Sequence, residues 1–150
     1  FEDDADDVFG EWEGEPEYDP ETAPDEAAWL ARDEDERLLI VEAYHRRAGI
    51  EPPKPTLHAT IHAIVENQIA AGDETPVRET VARLMREGLG RHDAIHAVGH
   101  ALIYHMHDLL QKRDAPADAA RENAAYFAAV TALTAEAWLR MADEDDEDAS

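Results

Sequence analysis

GRHDAIHAVGHALIYHMH spans residues 90–107 and carries five of the chain's eight histidines. His92, His96 and His100 recur at every fourth position. On an α-helix turning about 100° per residue they form one stripe about 80° wide. Ile95, Leu102 and Met106 fill the adjoining sector, so the imidazoles border an apolar face. A second ladder precedes the first. In TLHATIHAIVENQIA (56–70), His58, His62 and Glu66 make the same stripe, with Val65 and Ile69 beside it and Asn67 opposite. Both periods are helical, and no segment alternates with the period of two that a strand requires.

The punctuation around these ladders sets out the rest of the chain. A first helix opens at Ala23-Pro24 behind a Thr22 cap, with a break at ARDEDE (31–36), and closes at Gly49. EPPKP (51–55) is an extended connector, because paired prolines do not continue a helix. Thr56 caps the second helix, which runs to about Ala71. GDETP (72–76) turns the chain into a third, with Thr75 as cap and Pro76 as its first residue. Gly88 and Gly90 lead into a fourth over 91–112. Asp114 and Pro116 open a fifth that runs to Met141, its core stripe being Tyr126, Val130, Leu133 and Ala137. The fold class is therefore all-α, a bundle of about five helices. Short turns predict antiparallel neighbours, which would make the second and fourth helices parallel. His58 would then face His92, His62 would face His96, and Glu66 would face His100.

Charge is placed unevenly. Residues 1–26 hold thirteen acids and no base, and DEDDED (143–148) adds six more of the total −23. Such blocks predict disordered acidic tails at 1–22 and 143–150, flanking a bundle domain over 23–142. Phe1, Phe9, Trp12 and Tyr18 lie among the N-terminal acids, a pattern suited to docking on a basic protein partner. Nucleic acid is disfavoured as a partner, since the chain has two lysines and no basic cluster.

Several chemistries are excluded. There is no cysteine, which removes disulfides, thiolate metal sites and cysteine nucleophiles. The sole serine is Ser150, and no glycine-rich phosphate loop occurs. AAYFAAVTALTA is too short for a bilayer, and the acidic start is unlike a signal peptide, so a cytoplasmic protein is expected.

What remains is metal chemistry. Two histidines four residues apart can hold one ion, and a second helix can complete the sphere. The expected ligands are His58, His62, Glu66, His92, His96 and His100, between the second and fourth helices. Imidazole suits zinc, iron, copper or nickel, while an oxygen from Glu66 leans toward iron, manganese or catalytic zinc. The reaction is unassigned, with metal-assisted hydrolysis or oxygen chemistry as the classes such an ion supports. The alternative is a non-enzymatic interaction or regulatory protein. Its tails would recruit a basic partner, and its histidines would be core packing hydrogen-bonded to Glu66, Asn67, Gln68, Tyr104 or Asn123.

LHATIHAIVENQIA followed by GLGRHDAIHAVGHAL resembles the small bacterial proteins of the domain-of-unknown-function 1841 family, over roughly residues 27–112. The matching positions are His58, His62, Glu66, Gln68, His92 and His96, while Asn67, His100 and His107 depart from the pattern. The resemblance implies a helical bacterial protein with a shared histidine–glutamate centre, and no activity. The spacing alone is also similar to that of hemerythrins, whose HxxxxD element is absent.

Overall fold

The computed structural model describes residues 18–111 and 119–149, and among these the secondary structure is entirely helical. The helices are α1 (Glu26–Ala31), α2 (Glu34–Ala48), α3 (Pro55–Ala70), α4 (Val77–Arg86), α5 (Arg91–Gln111), α6 (Ala119–Thr131) and α7 (Ala135–Ala149), with a 3₁₀ turn at Gly72–Glu74. None is long and apolar enough to cross a membrane.

Local chemistry accounts for the boundaries. The break expected at ARDEDE divides α1 from α2, and each half has its own aspartate cap. Asp25 accepts from the Ala28 amide at 3.0 Å, and Asp33 from the Glu36 amide at 2.8 Å. Asp25 thus takes the capping place expected of Thr22. Gly49 closes α2 in the left-handed region at φ 71°, as its position predicts. The expected fifth helix is two. It stops at Thr131, and the Thr134 hydroxyl caps a new start by accepting from the Ala137 amide at 3.1 Å. The stripe resets there, so Tyr126 and Val130 are buried, Ala135 and Trp138 continue the apolar contact, and Ala137 is exposed.

The N-terminal acidic stretch is described from Tyr18 onward. Tyr18 and Pro20 are buried, so the N-terminal segment is part of the fold from Tyr18 onward. Tyr18 therefore does not join Phe1, Phe9 and Trp12 as docking aromatics; those three lie outside the described residues, as does the rest of the expected tail over 1–17. At the other end, the backbone stays helical to Ala149, through the acidic run.

Two apolar clusters share α3. Ile61 and Val65 pack with Val77, Val81 and Leu84 of α4, Ile95 and Val98 of α5, and Tyr126 and Val130 of α6. Ala59, Ala63 and Ala70 face Tyr18, Trp29, Ile40 and Val41. Helices α3 and α5 cross closely at Gly99, where a Cβ would stand 2.8 Å from Ile61 Cγ2.

The direction of that crossing differs from expectation. Glu66 meets Arg91, His62 meets His92 and His96, His58 meets His96, and Ile61 meets Gly99. Numbers fall along α3 as they rise along α5, so the two helices are antiparallel. The ten-residue α4 packs against both and cannot be antiparallel to each. The 3₁₀ turn and the left-handed Gly72 and Gly88 redirect the chain at its two ends, so α4 crosses between its neighbours instead of making two hairpins.

Candidate metal centre

Antiparallel packing interlocks the first two rungs of each ladder. The His62 ring lies 5.2 Å from His58, 5.1 Å from His92 and 5.1 Å from His96, centroid to centroid. His92 and His96 are 4.3 Å apart. A fifth imidazole enters from α2: His45 is 4.7 Å from His58 and 5.2 Å from His62. It has no histidine partner at helical spacing, so a search for ladders passes over it. Its spacing from Val41 on the buried face of α2 is the one trace it leaves in sequence.

The remaining two expected ligands are carried away by the same geometry. Glu66 sits one turn past His62, toward the start of α5, where Arg91 grips it with Nη1 at 2.9 Å and Nη2 at 2.8 Å. Tyr18 donates to its Oε2 at 2.7 Å. Both carboxylate oxygens are therefore engaged inside the protein, and Glu66 belongs to neither group of converging donor atoms. His100 sits a turn past His96 in the opposite direction, against Tyr104 and Trp138 and away from the other imidazoles. His105 stacks on Tyr126 and is half-buried.

Hydrogen bonds fix the orientation of two rings. The Tyr18 proton goes to Glu66, so its oxygen accepts from Nδ1 of His62, 3.1 Å away. That leaves Nε2 of His62 bearing the lone pair. His45 Nδ1 lies 2.8 Å from the Val41 carbonyl, to which it donates, and its Nε2 is likewise a lone pair. The Nε2 atoms of His62 and His96 are 3.1 Å apart. Nε2 of His45, His58 and His92 is buried with no hydrogen-bond partner.

Electrostatics keep the cluster neutral. Burial, and then the neighbouring imidazoles, pull His62 down to about 2 and His96 to about 3. Burial also lowers His58 and His92, the latter opposed in part by Glu21. Tyr18 moves up, first through burial and then through the Glu66 charge, and so stays a phenol. At neutral pH His58, His62, His92 and His96 are therefore uncharged nitrogen donors, with the Glu66–Arg91 pair one turn from His62.

Two triads bring their donor atoms within 4.8 Å of one another: His45, His62 and His92, and His58, His62 and His96. His62 belongs to both. With Nδ1 committed to Tyr18, it has one free nitrogen and can serve one ion at a time.

Comparison with protein-family models, with curated proteins and with solved structures finds no match to this chain. The resemblance to the domain-of-unknown-function 1841 family rests on the residues quoted for it.

Proposed function

We propose that this protein binds one divalent transition-metal ion in a centre built by His45, His58, His62, His92 and His96. The observation that carries the reading is the set of three buried, unpartnered Nε2 atoms turned among neutral rings. An unsatisfied buried polar atom costs about 1–3 kcal/mol, so three are hard to account for as packing alone. Three of the side chains that could satisfy packing histidines are otherwise occupied. Asn67 accepts from Trp29 and Arg37, Gln68 from Tyr126, and Glu66 from Arg91 and Tyr18. An ion held by His45, His62 and His92 would satisfy two of the three, and one held by His58, His62 and His96 the third. Two imidazole nitrogens bonded to one zinc at about 2.0–2.1 Å stand a little over 3 Å apart, close to the His62–His96 separation.

The donor set narrows the metal. With Glu66 held by Arg91 the donors are all imidazole nitrogens, which suit zinc, copper, nickel or iron better than manganese. A bound ion with an exchangeable position supplies Lewis-acid polarisation or an activated water. The chain's own part is to orient: Glu66 and Tyr18 hold the His62 ring, the Val41 carbonyl holds His45, and Arg91 keeps the nearby carboxylate from competing.

Elemental analysis of protein purified without chelators tests this directly. About one ion per chain is expected, and His62→Ala/His96→Ala should lose it while remaining helical. A wild-type chain that retains no zinc, copper, nickel or iron after loading and desalting rejects the centre.

A further inference from the structure

One side of the histidine cluster opens on a cleft of about 360 Å³. Its volume falls in the range of about 300–1,000 Å³ typical of small-molecule sites. Four histidines line it, His58, His62 and His96 of the cluster together with His100. The walls are Leu57, Ile61, Ile95, Ile103 and Trp138, with Gly99 between them. Leu57 and Ile103 at the mouth are 41 % and 46 % exposed, large apolar side chains left open to water. Pro52 and Pro53 make a stiff rim. Among the described residues that line the cleft, Lys54 is the only one with a formal charge, and none is a carboxylate. In a chain with 36 acidic residues, that is a marked exclusion.

Resting on the metal centre proposed above, we infer that this cleft binds an amphipathic organic monocarboxylate, its head on the ion and its apolar tail along Leu57, Ile103 and Trp138. Charge supplies the reason for the head. Imidazole ligands leave a divalent ion its full +2; Glu66 is already neutralised by Arg91, and Glu21 and Asp93, which act on His92, do not line the cleft. No carboxylate lines the cleft itself, so on this side an anion can approach the ion past Lys54. The walls supply the reason for the tail, because burying methylenes there removes apolar surface from water on both partners. A small hydrophilic anion would satisfy the ion and leave those walls wet.

Calorimetric titration of the full chain with acetate and with octanoate, after zinc loading and metal analysis, separates the possibilities. Zinc-loaded protein should bind octanoate at least about tenfold more tightly than acetate. Metal-free protein should lose that binding, and Ile103→Asp should lose the octanoate preference while keeping its zinc. Equal affinity for the two acids on zinc-loaded protein overturns the cleft assignment and leaves the metal centre standing. Octanoate binding unchanged by zinc overturns the contact between head group and ion. Failure to retain zinc shows in the metal analysis before any acid is added, and it removes the centre and this inference together.

Discussion

Ile61 and Gly99 hold the two histidine ladders at their working separation: a Cβ on Gly99 would lie 2.8 Å from Ile61 Cγ2, closer than side-chain carbons pack. Glycine in a helix interior gives up about 1 kcal/mol relative to alanine, so its presence mid-α5 reflects the crossing. Gly99→Ala regains that propensity but overpacks the contact, at about 1–3 kcal/mol. The variant should melt at or below the wild type and bind zinc more weakly, since His58 and His96 flank the point that is pushed apart. Because Cγ2 of a β-branched residue has little freedom to rotate away, Gly99→Ala/Ile61→Ala should restore zinc affinity relative to Gly99→Ala. A Gly99→Ala protein with unchanged zinc affinity and a raised Tm would show that the crossing tolerates a methyl group.

Glu66 and Arg91 form a bidentate pair in which both side chains are almost wholly buried, at 1 % and 5 % exposure. Removing one partner of such a pair strands the other charge, at about 3–5 kcal/mol, whereas replacing both with apolar residues is often neutral. Arg91→Met alone should therefore be strongly destabilising by chemical denaturation, and Glu66→Met/Arg91→Met much less so. Arg91 also donates to the Pro20 carbonyl at 2.9 Å, so both variants should loosen the segment around Tyr18. Zinc stoichiometry in the double variant decides the role of Glu66. Retention of about one ion per chain fits a carboxylate outside the coordination sphere. Loss of the ion from a folded double variant would return Glu66 to the ligand set.

Tyr18→Phe removes one oxygen and keeps the ring contacts to Trp29, Tyr44 and His62. It takes a donor from Glu66 and an acceptor from His62 Nδ1, and frees the His62 tautomer. Loss of such an outer partner commonly lowers metal affinity by about 10–100-fold. The expected signature is weaker zinc binding at constant stoichiometry, with the helical content preserved. Zinc affinity equal to that of the wild type would mean that packing alone holds the His62 ring.

The helices and the two ladders were legible because apolar period and caps are local properties of the chain. His58, His62, His92 and His96 come together as the stripes imply. What the stripes lack is direction. Short turns promised consecutive hairpins, but α4 lies across its neighbours, and that one reversal decides the third rung of each ladder. Parallel helices would have set Glu66 beside His100; antiparallel ones send Glu66 to Arg91 and His100 to Trp138. Composition groups Tyr18 with its acidic neighbours because it describes a segment, while burial acts on single residues. His45 and Arg91 join the centre through tertiary contacts between helices, which no period within one helix encodes.

Acid should unfold the metal-free protein over a window set by the buried imidazoles. His62 and His96 are held down to about 2 and about 3, while in the unfolded chain they protonate near the usual value of about 6.5. Between those limits the unfolded state carries more protons than the folded one, so stability falls as pH drops and is restored as pH rises through the unfolded value. Each fully protonating group contributes a slope approaching about 1.4 kcal/mol per pH unit. Above pH 7.5 the slope from these groups should vanish. Carboxylates titrate lower still, so the decline from pH 7 to 5.5 in chelator-treated protein reports on the histidines. His62→Leu/His96→Leu should flatten it. A wild-type Tm that is level from pH 7.5 to 5.5 would mean that the imidazoles meet water or protons more freely than their burial implies.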